Sequence, residues 1–415
     1  MSPLLLVLLL LLVALIGAQV TFARHRVPLG PQIVIAIGAP FVLLGFLLGP
    51  HATHILSRET VDVITPLLAL GLGWIGVLFG LQLDRDHLKR FPGAYLLLAW
   101  LQAAVAFAAV YFLGRFVISS WFSLRADAII LAAAATACVS TPTAVALVSN
   151  TYMARGQVSS FLFYVGSLDA AVGIVALGMI HAAFYSGRLT QGAAFNFLEW
   201  FAISVLLGCF FGVLFLSLTR VRAPAQEFVL FLFGLVLFAS GTAFYLSLSP
   251  LFVCMIAGIV IGNLSPLRRH VYTALSEWEK PIYIMTLVLA GALLQFSSWW
   301  IVPLVAAYVA ARLLAKWLGG LVAFGLKPSS FRIPASFGLA LVPQGGITLA
   351  MAISFVMIYD PQAAEPAAAV NTFLATVVIA VGITDLMGPF LVRGILQRAG
   401  ELNMGALHAG AARDR

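Results

Sequence analysis

An acid stands in the middle of a long apolar stretch: Asp169, within Phe161-Leu-Phe-Tyr-Val-Gly-Ser-Leu-Asp-Ala-Ala-Val-Gly-Ile-Val-Ala176. Nothing nearby in sequence neutralises it. A helix entered near Gln157 and rising about 1.5 Å per residue carries Asp169 roughly 18 Å inward, close to the midplane of a hydrocarbon core about 30 Å thick. An ionisable group at that depth costs a few kcal/mol, so it faces a protein interior or a wet cavity and handles ions or protons. The structural alternative is a neutral, hydrogen-bonded carboxyl. Two bases pose the same problem. Arg312 and Lys316, in Ala311-Arg-Leu-Leu-Ala-Lys-Trp-Leu-Gly319, stand four residues apart and share a helix face. Arg312 lies at about the depth of Asp169, with Lys316 one turn further along. They can neutralise helix-end dipoles or pair with Asp169 or with a second intramembrane acid, Asp385; alternatively, Lys316 snorkels to the interface on its long stem.

The elements that position these groups must be membrane helices. The chain is 62% hydrophobic and 9% charged, with a mean hydropathy of +1.06, against roughly 25% charged in soluble domains. Its solvent is lipid. Cys138, Cys209 and Cys254 lie in apolar runs without the spacing of a disulfide framework or a metal site. No His-Glu-x-x-His, Gly-Lys-Ser/Thr phosphate loop or Gly-x-Ser-x-Gly elbow occurs, so the sequence does not read as an enzyme of those classes.

Apolar runs bounded by charge or turn residues predict an all-α integral membrane protein of about thirteen transmembrane helices. The expected spans are 3–23, 32–49, 63–83, 93–118, 127–148, 157–184, 194–219, 226–246, 250–264, 280–296, 299–324, 332–358 and 366–392. Residues 265–279 read as an amphipathic connector on the membrane surface, and 394–415 as a short cytoplasmic tail. The first span resembles a signal peptide only weakly: Ala18-Gln19 offers a cleavage site, but Arg24-His25-Arg26 follows the apolar run instead of preceding it. Of the 23 Lys and Arg, seventeen fall on one face of this arrangement, including Arg85, Lys89, Arg155, Arg268 and Lys280. Four fall on the other, namely Arg58, Arg115, Arg125 and Arg188, and the remaining two are Arg312 and Lys316. By the positive-inside rule the N-terminus is outside and the C-terminus cytoplasmic. Topology thus accounts for the net charge of +8 without a nucleic-acid partner.

Two of the spans are interrupted. Ala137-Cys-Val-Ser-Thr-Pro-Thr-Ala-Val-Ala146 and Leu341-Val-Pro-Gln-Gly-Gly-Ile-Thr-Leu-Ala350 put Pro142, Gln344, Gly345 and Gly346 at mid-membrane. Proline removes a backbone hydrogen bond, and paired glycines make helix costly. Broken helices at that depth line a protein-enclosed or water-filled site. The alternative is an ordinary proline kink in each. The breaks sit seven spans apart, so they traverse the membrane in opposite directions, as inverted-topology repeats do. Spans four to six then pair with eleven to thirteen, and Asp169 stands opposite Asp385.

At this point the chain resembles the monovalent cation:proton antiporter superfamily, of the sodium/hydrogen exchanger type and nearer its bacterial potassium/proton and sodium/proton branch. Ser140-Thr-Pro-Thr-Ala144 is similar to the first broken helix of that family, and Leu341 to Ala350 to the second. Leu168-Asp169 falls on its ion-binding pair, Leu314-Ala-Lys-Trp-Leu-Gly319 on the helix with its characteristic basic residue, and Gly71-Leu-Gly-Trp-Ile-Gly-Val-Leu-Phe-Gly-Leu-Gln-Leu-Asp84 is similar to its Gly-Leu-Glu-Leu-Asp segment. The resemblance implies two crossing broken helices in a core of 93–184 and 299–392. This core moves against a scaffold made of the other helices of 1–393, which forms a homodimer in the inner membrane. Leu168 replaces the polar or acidic partner, and Thr141 stands where sodium/proton members often carry Asp, which leaves both Na+ and K+ open.

The implied function is exchange of a monovalent cation for H+ by alternating access, with no cofactor beyond the transported ions. Asp169 binds a proton or a cation in turn, and hydroxyls of Ser140, Thr141, Thr143 and Ser167 with freed backbone carbonyls complete the cation shell. Burial and a neighbouring cation act on a carboxyl's proton affinity in opposite senses, which allows tuning. With one titrating acid, electroneutral one-for-one exchange is expected. A sodium-coupled symporter of an organic anion, an uncoupled cation channel, and a membrane enzyme using Asp169 with Asp385 are the alternatives.

Overall fold

The computed structural model describes residues 12, 15–17, 38–50, 52–53, 58–89, 93–121, 127–154, 156–184, 195–219, 225–296, 299–326, 333–359 and 367–402. Most of the first expected span, the loop after it, the tail beyond 402 and a dozen of the orientation-setting Arg and Lys, among them Arg24, Arg155, Arg188 and Arg220, lie outside the described residues. The fold is all-α, and no strand occurs among the described residues. In chain order the helices are α1 (Ala39–Leu48), α2 (Arg58–Gln82), α3 (Arg85–Leu88), α4 (Gly93–Trp121), α5 (Asp127–Cys138), α6 (Thr143–Tyr152), α7 (Gln157–Ala183) and α8 (Phe197–Leu218). Then follow α9 (Ala225–Tyr245), α10 (Pro250–Leu264), α11 (Arg268–Leu293), α12 (Ile301–Leu326), a 3-10 turn (Phe337–Leu341), α13 (Gly345–Ile358) and α14 (Ala367–Arg398).

Seven helical segments among the described residues are long and apolar enough to cross a membrane, with α5 and α6 together forming one of them. Three shorter apolar helices, Leu230–Tyr245, Pro250–Leu264 and Gly345–Ile358, accompany them. This is a multi-pass membrane protein. Beyond the first, each expected span has a helical counterpart among the described residues, with two departures. The expected connector over 265–279 is continuous with the tenth span as α11, because Pro281 sits inside the helix without ending it. The last helix runs past Val392 to Arg398.

The chain forms two compact units. One comprises Met1–His87, Ile174–Ser297 and Leu349–Ala375. Within it α10 packs along α2, and glycines at the contact, such as Gly80 against the Met255 carbonyl, let the backbones approach. Arg268 bridges Asp84 at 3.0 Å and Asp86 at 2.5 Å, which ties the end of α2 to the start of α11.

The other unit comprises Leu88–Gly173, Ser298–Thr348 and Thr376–Arg415. Its apolar core includes Tyr95, Leu98, Val145, Phe161, Leu162, Phe337 and Leu396. Here α4 packs on α5 and α12, and α12 on the 3-10 turn. The N-terminus of α7 is capped by a residue far along the chain: the Glu401 carboxylate accepts from the Val158 N–H at 2.7 Å and the Ser159 N–H at 2.9 Å. That cap fixes the start of the helix that carries Asp169.

Candidate ion-exchange site

Both predicted breaks are present, and both lie in the second unit. In the first, helix stops at Cys138 and resumes at Thr143, with Pro142 in the N-cap position. Proline has no N–H to lose there. In the second, the 3-10 turn ends at Leu341 and α13 begins at Gly345, whose φ of +65° is a left-handed conformation that suits glycine. The two breaks meet: the Thr141 N–H donates to the Pro343 carbonyl at 2.9 Å.

At such a crossing, orphan carbonyls need donors. Arg312, fully buried on α12, supplies them. Its Nε donates to Val342 O at 2.8 Å; its terminal nitrogens donate to Ala137 O, to Val139 O at 2.5 Å and to Leu341 O at 3.1 Å, with Pro343 O at 3.4 Å. One guanidinium therefore serves the carbonyl ends of both breaks, and its charge complements the negative ends of both half-helices. The opposite, N-terminal end of α13 is held by an anion. Asp385 accepts from the Gln344 N–H at 2.7 Å and from the Gly345 N–H at 3.1 Å. Asp385, expected to compensate charge, thus sits as a cap on the N-terminal end of α13.

Asp169 and Lys316 are paired. The Lys316 ammonium donates to Asp169 Oδ2 at 2.8 Å and to Cys138 O at 2.6 Å, and both side chains are 0% exposed. Lys316 therefore points inward and does not snorkel. The Ser140 hydroxyl lies 2.7 Å from Asp169 Oδ2 and 2.7 Å from Leu341 O, so its single proton can serve either acceptor. The other carboxylate oxygen, Asp169 Oδ1, is buried and has no hydrogen-bond partner among the described residues. Two buried cations and two buried anions sum to zero charge.

The remaining predicted ligands are not gathered on Asp169. Thr141 and Thr143 pair with one another at 2.8 Å, and Thr141 sits against Gly345. Thr143 is exposed, and Ser167 bonds its own helix at Phe163 O. Of the carbonyls at the breaks, those of Ala137, Val139, Leu341, Val342 and Pro343 receive Arg312 and that of Cys138 receives Lys316. Gly346 lies in the first turn of α13.

Around Gln344, which the sequence placed at the second break, lies a polar set whose other members, Thr136, Tyr308 and Thr384, sequence reasoning missed. Gln344 Nε2 donates to Thr136 O at 3.0 Å and to the Tyr308 hydroxyl at 2.9 Å, the Tyr308 hydroxyl donates to Thr136 Oγ1 at 3.1 Å, and Thr384 donates to Gln344 Oε1 at 3.3 Å. Gln102 on α4 reaches Lys316, with Oε1 3.5 Å from Nζ. Thr136, Tyr308, Thr384 and Gln102 lie on four different helices, so no spacing within one run joins them.

The arrangement holds a buried carboxylate paired with a buried ammonium, next to a hydroxyl that can donate or accept. A protonated Oδ2 can donate a hydrogen bond to Ser140 Oγ while Ser140 donates to Leu341 O, so the hydroxyl accommodates the charged and the neutral carboxyl alike.

No curated protein sequence matches the chain. Among solved structures, the fold is similar to the sodium proton antiporter MjNhaP1 from Methanocaldococcus jannaschii at pH 8, with a TM-score of 0.69 and 15% identity over 95% of this chain and 99% of that one. A second structure of MjNhaP1, from electron microscopy, gives a TM-score of 0.66 at 15% identity over 96% of this chain and 99% of that one. The family model described as sodium/hydrogen exchanger, transmembrane, matches residues 4–394, and the chain belongs to that family.

Proposed function

We propose that this protein is a secondary transporter that exchanges a monovalent cation, Na+ or K+, for H+ by alternating access, with Asp169 as the exchange site. The observation that carries the reading is the buried Asp169 carboxylate, with Oδ2 held by Lys316 and Ser140 and Oδ1 unpartnered. A dehydrated cation can be accepted there only by competing with the proton or with the Lys316 ammonium, and competition for one carboxylate is sufficient for exchange. Family membership and the likeness to a sodium proton antiporter support cation and proton as cargo.

One titrating carboxylate favours one-for-one, electroneutral turnover, with Lys316 charged throughout. The core of 93–184 and 299–392 carries the site and moves against the remaining helices, which form the homodimer scaffold; the tail at 394–415 is cytoplasmic. The protein works in the inner membrane with its N-terminus outside.

The test is proton release from inside-out vesicles on adding Na+ or K+ across a pH series, comparing the native chain with Asp169→Asn. A cation-dependent signal lost in the variant supports exchange and names the ion. If neither ion moves protons with the native protein, the exchange reading fails and a sodium-coupled symporter takes its place.

A further inference from the structure

The ammonium of Lys316 has three N–H donors and three acceptors around it: Asp169 Oδ2 at 2.8 Å, Cys138 O at 2.6 Å and Gln102 Oε1 at 3.5 Å. The third contact is at the edge of hydrogen-bond range. Gln102 is itself 0% exposed, and its Nε2 finds no partner among the described residues. A buried amide nitrogen left unpaired costs free energy, so something fixes the amide in this orientation. Lys316 does so: the reverse orientation would set NH2 against ammonium, donor against donor. The helices are also brought close at this point. A side chain at Gly319, one turn from Lys316, would press on the Gln102 backbone oxygen at 3.0 Å and on its Cγ at 3.1 Å.

Resting on the reading of Asp169 as the exchange site, we propose that Gln102 is a positioning residue for exchange: its amide oxygen holds the Lys316 ammonium while a cation occupies Asp169. When the carboxylate is taken, the ammonium loses one of its three acceptors. It keeps the Cys138 carbonyl, and a small displacement brings it onto Gln102 Oε1 at ordinary hydrogen-bond length. Without Gln102 the displaced charge retains a single acceptor in a dry interior. The cation then competes against a more tightly held ion pair. Gln102 thus sets the apparent cation affinity while touching neither the cation nor Asp169.

The test uses the full chain in proteoliposomes, with Na+- or K+-driven proton movement followed by a pH-sensitive dye, and with folding of every sample checked by gel filtration and thermal unfolding. In Gln102→Met the cation KM rises about ten-fold, the size of one hydrogen bond to a charged group, and the maximal rate is retained. Gln102→Glu keeps an acceptor oxygen and holds KM at or below the native value, a reversal that a packing defect would not produce. If Gln102→Met does not fold, Gln102→Asn, which withdraws the oxygen by one methylene, takes its place with the same expected rise. An unchanged KM in the variant lacking the oxygen, or an equal rise with Gln102→Glu, overturns the inference. Failure of the exchange reading is distinguishable, because it appears in the native and Asp169→Asn samples alone, and it removes this inference with it.

Discussion

The ion pair between Lys316 and Asp169 predicts strong, non-additive coupling. At 2.8 Å the attraction of two unit charges is about 6 kcal/mol at an effective dielectric constant of about 20. Much of that offsets desolvation, since both side chains are 0% exposed. Removing one partner strands the other, which typically costs about 3–5 kcal/mol. Asp169→Asn leaves the ammonium with the Cys138 carbonyl, the amide and Gln102. Lys316→Met leaves a carboxylate with only the Ser140 hydroxyl. Each single variant is therefore expected to lose about 3 kcal/mol or more, with the low end of the range reached if water enters. The double variant removes both charges and leaves no charge stranded, so its loss falls well short of the sum, with a coupling of about 3 kcal/mol. The assay is thermal or denaturant unfolding of the purified protein in one detergent, run as a four-member cycle at fixed salt. Additive losses, with coupling under about 0.5 kcal/mol, would refute the claim that the two charges sustain one another.

Two further substitutions report on the second break. Gly345→Ala places a Cβ on a residue with φ +65°, about 1–2 kcal/mol of backbone strain, and that Cβ would lie 2.9 Å from Thr141. A loss of at least about 2 kcal/mol in unfolding free energy is expected, and a loss below about 0.5 kcal/mol would show that the break relaxes freely. Asp385→Asn leaves one acceptor oxygen where the carboxylate now receives two backbone N–H groups. It should lower stability by about 1–2 kcal/mol, read by the same unfolding measurement, and an unchanged midpoint would count against the cap.

The parts of the site that show in the sequence do so because each violates its surroundings. Asp169, Arg312 and Lys316 are charges inside apolar runs, and Pro142 with Gly345 and Gly346 cannot continue a helix at low cost. Thirteen runs long enough to span fix the all-α class and the order of helices. Spacing cannot tell which donor meets which acceptor. The freed carbonyls, expected to help complete a cation shell, receive Arg312 and Lys316, donors from a helix far along the chain. Thr141 and Thr143, two residues apart across a proline, bond to each other before reaching Asp169. Ser167 spends its hydroxyl on its own helix, as serine in an apolar helix commonly does. Gln102, Tyr308, Thr136 and Thr384 sit singly on separate helices, and only the packing of α4, α12 and α14 around the crossing gives them partners. The continuity of α11 through Pro281 escaped prediction because tertiary support can carry a helix past a proline that would end it in isolation.

The two charges of the central pair lie 147 residues apart in the chain. At roughly 5–20 residues per second, the ribosome delivers Lys316 about seven to thirty seconds after Asp169. During that interval α7 must enter the bilayer with its carboxyl unbalanced, a penalty of about 3 kcal/mol on insertion scales. The helix is built to bear it: twenty-seven residues long, it carries no other acid or fixed positive charge from Gln157 to Ala183. The pair is then a late event in biogenesis, formed when α12 arrives beside a helix already in place. The Glu401 cap comes later still, so the start of α7 is sealed only after α14 has been made.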